Sequence, residues 1–150
     1  IHAIMGNSLI AEIQTPSDVT YRLYDWNRVD KNGNSRELHI EDSFNVIKDI
    51  DAFQLKSKKE NIIKKDNIEI NNIFSNEYFT TEEYVIKDKY TSKTNNKTFE
   101  IILVMEGSGT IASNENTVEL EAGQTVLLPA YLGEYSINTE KGIKLLRVTV

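Results

Sequence analysis

Gly123-Gln124-Thr125-Val126-Leu127-Leu128-Pro129 reads as a glycine turn, a buried strand and a proline that ends it. Upstream, Glu106-Gly107-Ser108-Gly109 is expected to form the matching hairpin turn. Working outward from this pair, strand-forming runs recur at Tyr78 to Ile86, Phe99 to Glu106, Gly109 to Ala112, Thr117 to Leu120, Thr125 to Leu128, Tyr135 to Thr139 and Lys144 to Val150. Turn residues separate them. Short strands at such regular spacing predict an all-β sandwich or barrel over residues 77–150.

The first half is organised differently. Residues 1–26 carry short alternating apolar stretches broken at Pro16-Ser17-Asp18, which predicts two strands and a turn. In the second of these, residues two apart share a face, so Arg22, Tyr24 and Trp26 project together. Asp30-Lys31-Asn32-Gly33-Asn34 is a turn by composition. Glu41-Asp42-Ser43 then precedes Phe44, Ile47 and Ile50, whose spacing predicts a short amphipathic helix over about 42–50. Residues 54–76, rich in lysine and asparagine around scattered isoleucines, are expected to cross between two modules, 1–53 and 77–150.

Composition excludes several classes. The 150 residues are 39% hydrophobic and 27% charged, an ordinary balance for globular protein. No run of about 18 apolar residues is present and no basic-then-apolar leader, so no membrane span is expected and the cytoplasm is the default compartment. With no cysteine, a metal would be held by imidazole, carboxylate or amide oxygen, and the only histidines are His2 and His39. The net charge of −6 argues against a nucleic-acid partner, since phosphate contacts need clustered Lys and Arg. Because the chain opens on Ile1 and directly on an apolar segment, it is expected to be a fragment.

A specific resemblance lies at the start of the chain. Ile1-His2-Ala3-Ile4, Leu9-Ile10-Ala11-Glu12-Ile13-Gln14 and Ser17-Asp18-Val19-Thr20-Tyr21-Arg22-Leu23-Tyr24-Asp25-Trp26-Asn27-Arg28 resemble the mannose-6-phosphate isomerases of low-GC bacteria, members of the cupin superfamily. The likeness continues through Arg36-Glu37-Leu38-His39-Ile40 and reappears in Leu128-Pro129-Ala130-Tyr131-Leu132-Gly133-Glu134-Tyr135. It implies a cupin, or jelly-roll β-sandwich, fold: the end of a first, catalytic cupin, then a second cupin-like module. Metal-binding cupins use histidines around such turns. No histidine follows His39, so the second module is expected to bind no metal.

The resemblance also implies an activity, the interconversion of mannose 6-phosphate and fructose 6-phosphate with zinc as cofactor. In the family, zinc sits on a glutamine, a histidine, a glutamate and a later histidine; the last falls at His2, and the others would precede Ile1. The family's arginine near the reacting carbons falls at Arg22. Taken alone, His2 could be a satisfied or exposed histidine near a terminus, and Arg22 a surface salt-bridge residue. Aldose–ketose isomerisation moves a proton between adjacent carbons through an enediolate, whose charge a fixed guanidinium can meet. Arg22 would be electrostatic rather than a base, since a guanidinium stays protonated. Glu12 shares a face with Ile10 and Gln14 and is open to a role near the metal or in an arginine pair. Tyr24 and Trp26 are read as core rather than as a sugar-stacking platform, and His39 as structural. The competing function is a non-catalytic cupin that binds a sugar or a protein partner.

Overall fold

The computed structural model describes residues 2–17, 19–47, 59–114 and 116–150. The chain divides into two compact units, Ile1–Leu55 and Lys56–Val150.

Among the described residues of the second unit nine strands form in chain order: β1 Glu60–Lys65, β2 Ile68–Ser75, β3 Thr80–Ile86, β4 Lys89–Lys93, β5 Glu100–Ser113, β6 Thr117–Glu121, β7 Thr125–Leu128, β8 Glu134–Asn138 and β9 Ile143–Thr149. Their alternation decides which side chains are buried. On β3 Tyr84 and Ile86 face the core, as do Ile102 and Val104 on β5, Tyr135 and Ile137 on β8, and Ile143 and Leu145 on β9. Leu120 and Leu128 complete the filling from β6 and β7. All pairings are antiparallel. One sheet runs β1-β2-β3-β9-β5-β7 and the other β4-β8-β5-β6, so β5 belongs to both. This is the expected cupin-type jelly roll.

The doubled use of β5 corrects one expectation. Glu106 to Gly109 is not a hairpin turn: the ladder to β9 shifts between Val104 and Glu106, and the chain continues straight on into the second sheet. Gly107 has φ +80°, and a Cβ there would lie 2.3 Å from the Gly142 carbonyl oxygen. At Gly109 a Cβ would lie 2.3 Å from the Asn138 oxygen. The glycines therefore serve close strand approach rather than chain reversal. Pro129 does follow the end of β7. β4 had no counterpart in the expected series, because Lys89 to Lys93 is a mostly exposed strand with only a weak apolar signal. Residues 60–75, expected to cross over, instead form β1 and β2. Ile68 and Ile70 enter the core, and β-sheet pairing organises a composition that packs poorly alone.

The first unit has a single helix among its described residues, α1 Ile40–Val46, with His39 at its N-cap. It starts two residues earlier than expected and stops at Val46, with Ile47 extended as its C-cap, short of the expected end near residue 50; residues 48–50 lie outside the described residues. Phe44 is 68% exposed, so the apolar stripe is not buried within the unit. The Asp30–Asn34 turn forms as expected: Val29 bridges to Ser35, Gly33 takes φ +84°, and the Asp30 carboxylate accepts from the Asn32 and Asn34 amides at 2.8 and 2.9 Å. The two strands expected over residues 1–26 are not found among the described residues. A strand needs a neighbour to take its backbone hydrogen bonds, and none pairs with this segment here.

Candidate functional site

The segment 20–28 is fixed by hydrogen bonds rather than by a sheet. The Arg22 amide donates to His39 Nδ1 at 3.2 Å, and the His39 amide donates back to the Arg22 carbonyl at 2.8 Å. His39 thus holds the backbone of Arg22. Beyond it, Trp26 and Asn27 have φ of 50° and 54°, and the Arg28 amide donates to the Asp25 carbonyl at 3.0 Å. Successive positive φ values closed by this bond make a type I′ turn. A tryptophan in left-handed conformation costs about 1–2 kcal/mol.

Asp25, 6% exposed, secures that turn. Its Oδ1 accepts from Arg28 Nη2 at 2.5 Å, its Oδ2 lies 3.9 Å from Arg36 Nε, and the Arg28 guanidinium sits 5.6 Å from the centre of the Trp26 ring. Tyr24 and Trp26 are roughly half-exposed, with ring centres 5.5 Å apart. This overturns their reading as core: the turn, not a strand, orients them. Around them runs an open groove of about 1150 Å³, lined within this unit by His2, Glu12, Arg22, Trp26, Arg28 and Arg36 among others. His2 and Glu12 also line a smaller hollow of about 440 Å³ beside Met5 and Ser8.

The groove thus brings together the two residues singled out by sequence, His2 and Arg22, and adds Glu12. Among the described residues no three His, Cys, Asp or Glu side chains gather as a metal site. His2 and Glu12 alone do not make up a tetrahedral zinc set, so these residues do not by themselves fit the ion. Sequence reading missed Asp25, Arg28 and Arg36. The available signal was distributional: of the chain's four arginines, Arg22, Arg28, Arg36 and Arg147, three line this one groove of an acidic protein.

A second polar constellation fills the jelly roll. Glu100 is fully buried and takes two bonds from Arg147, Nε to Oε2 and Nη2 to Oε1, each 2.8 Å. Arg147 Nη1 donates to the Tyr84 hydroxyl at 2.9 Å, and the Tyr135 hydroxyl donates to Glu100 Oε2 at 3.0 Å. Burial opposes the Arg147 charge, but its bonds to Glu100 and the Tyr84 hydroxyl, with the charge interaction of the nearby Tyr84 and Tyr135 oxygens, outweigh this and hold the guanidinium above its ordinary value. Burial pushes both tyrosine hydroxyls upward, against the opposing pull of Arg147. Glu82 extends the set, accepting from the Tyr84 hydroxyl at 3.0 Å and lying 3.5 Å from Arg147 Nη1, so the interior holds a connected ion-pair network. Its sequence signal was phase: Glu100 falls in step with the core residues Ile102 and Val104, two and four positions on, and Arg147 with Ile143 and Leu145.

Two antiparallel sheets that share one long strand and enclose their core define a cupin. The mannose-6-phosphate isomerase cupin domain matches residues 69–150, more than half of the chain, and the chain belongs to that family. It is 33% identical over 141 residues to the mannose-6-phosphate isomerase ManA of Bacillus subtilis, covering 91% of this chain and 42% of ManA. The mannose-6-phosphate isomerase of Streptococcus mutans is 29% identical over 133 residues, covering 86% of this chain and 40% of that protein. The crystal structure of the mannose 6-phosphate isomerase from Bacillus subtilis superposes with TM-score 0.73 at 29% identity, over 89% of this chain and 41% of that one. The chain therefore spans about two-fifths of the length of the relatives it matches.

Proposed function

We propose that the chain is part of a zinc-dependent mannose-6-phosphate isomerase, acting in the cytoplasm on mannose 6-phosphate and fructose 6-phosphate. One observation carries this reading: in a chain of that family, His2 and Arg22 line one groove, with Arg22 held through its backbone by His39. The first unit would then be the end of the catalytic cupin, and the second unit, which includes β1 and β2, a second, metal-free module. His2 would supply one zinc ligand, with the other donors coming from the rest of the full-length protein. Bound zinc would supply Lewis-acid polarisation of the sugar oxygens.

No step through the metal is derived from this chain. Its own contribution is Arg22, a permanently charged fork directed at a groove where an enediolate oxygen would develop negative charge. The proton transferred between the adjacent carbons must be carried by another group.

The test uses the full-length protein. Arg22→Ala is expected to lower kcat by roughly 10² to 10³, the usual effect of removing one preorganised charge donor, with zinc content and fold retained. His2→Ala is expected to lose zinc and turnover together. Near-normal turnover for Arg22→Ala would overturn this assignment. An inactive, zinc-free full-length protein would instead favour the non-catalytic cupin.

A further inference from the structure

We infer that His39 is a positioning residue for Arg22: its imidazole, with the ring hydrogen on Nε2, takes the place of its own backbone carbonyl as acceptor of the Arg22 amide and so fixes where the Arg22 side chain starts. The clamp itself rests on geometry. Only its effect on turnover rests on the isomerase reading and on the role proposed there for Arg22.

Arg22 and His39 meet as two residues of an antiparallel bridge would, but with one bond rerouted. The His39 amide donates to the Arg22 carbonyl at 2.8 Å. In an ordinary bridge the return bond runs from the Arg22 amide to the His39 carbonyl. That carbonyl points into α1 instead, where it accepts from the Ser43 amide at 2.9 Å and opens the helix. The Arg22 amide donates to His39 Nδ1 at 3.2 Å in its place. One residue thus starts the helix with its carbonyl and holds Arg22 with its amide and its side chain. The described residues offer the Arg22 backbone no sheet partner, so these two bonds are what anchor it.

The arrangement dictates the tautomer. A backbone amide can only donate, so Nδ1 carries no hydrogen, and the hydrogen of the neutral ring is on Nε2. Nε2 lies 4.0 Å from Glu37 Oε2, which gives that N–H a carboxylate nearby. The Tyr21 ring, on the residue before Arg22, stands 6.1 Å from the imidazole at a tilt of 55°, and the His39 side chain is 27% exposed, so the ring is flanked rather than free. The imidazole makes no capping bond to α1. Removing its acceptor therefore loosens Arg22 without uncapping the helix. Asn carries an acceptor, Oδ1, on the atom that corresponds to Nδ1, whereas Leu has the same branching and no acceptor. A guanidinium that meets charge in a transition state is sensitive to such loosening, since a misplacement of about 1 Å can cost on the order of 10² in rate.

The experiment uses the full-length protein. NMR of nitrogen-labelled histidine should show His39 with a bare Nδ1 and a protonated Nε2, the signal being assigned by its loss in His39→Asn. A hydrogen on Nδ1 overturns the inference with no variant needed. His39→Leu should speed hydrogen exchange at the Arg22 amide roughly 10-fold or more and lower kcat roughly 10- to 100-fold with KM little changed. His39→Asn should recover most of both. In the Arg22→Ala protein His39→Leu should cost almost nothing further, because its effect runs through that side chain. A folded His39→Leu variant with parental kcat beside an impaired Arg22→Ala overturns the inference and leaves the isomerase reading standing. So does full additivity of the two changes, or His39→Asn no better than His39→Leu. Parental turnover in Arg22→Ala defeats the role proposed for Arg22 instead, and the clamp is then upheld or overturned by the tautomer and the Arg22 exchange alone.

Discussion

Glu100→Ala tests whether the jelly roll depends on its internal ion pair. The substitution removes the acceptor of two 2.8 Å bonds from Arg147 and one 3.0 Å bond from Tyr135, at a position with no exposure to water. What remains is a guanidinium whose side chain is 18% exposed, with the Tyr84 hydroxyl at 2.9 Å and Glu82 at 3.5 Å. Breaking a buried pair from one side costs about 3–5 kcal/mol, and partial hydration of Arg147 favours the lower end, about 3 kcal/mol. For a unit of this size each kcal/mol lowers Tm by about 4–8 °C, so the expected shift is roughly 12–24 °C. Guanidinium chloride unfolding should move the midpoint without changing the slope, since the surface exposed on unfolding is nearly the same. Glu100→Met combined with Arg147→Met should cost much less than the two single changes added, because no charge is then left unpaired. A loss below about 1 kcal/mol for Glu100→Ala, or simple additivity in the double variant, would refute the reasoning.

Three further outcomes follow from the same geometry. Gly107→Ala should destabilise the second unit by more than about 1 kcal/mol, seen as a lower Tm, because φ +80° disfavours a side chain and the new Cβ meets the Gly142 oxygen. Burial pushes the Glu83 carboxyl up, but its bond from Lys59 and the Lys144 charge outweigh this and hold it below its ordinary value. A carboxyl depressed in the folded state contributes stability above its unfolded pKa of about 4.3 and loses it as pH falls through the lower folded value, so Lys59→Met should flatten that part of the acid unfolding curve. Burial likewise pushes the Tyr84 and Tyr135 hydroxyls up, so their tyrosinate absorbance should emerge only with alkaline unfolding, which spectrophotometric titration followed by circular dichroism can check.

Alternation along the second half was legible because a half-buried strand repeats every two residues, and the runs at Thr117, Thr125, Tyr135 and Lys144 correspond closely to β6, β7, β8 and β9. The family resemblance was legible for a similar reason, resting on local strings such as Thr20-Tyr21-Arg22-Leu23-Tyr24-Asp25 and Leu128-Pro129-Ala130-Tyr131. Local composition could not say whether Glu106 to Gly109 reverses the chain or carries it between sheets. That depends on the Gly142 and Asn138 carbonyls, which lie far along the chain and close in space. Nor could periodicity reveal that Trp26 sits on a turn with Tyr24 just before it, because the turn is held by the Asp25–Arg28 pair rather than by any apolar pattern. The sequence by itself therefore determined the all-β class of the second half and the kind of family, and it singled out His2 and Arg22 as candidates. The tertiary structure decided which strand joins the two sheets, that Glu100 and Arg147 meet inside, and that three arginines share a groove, because those facts rest on contacts between residues distant in the chain.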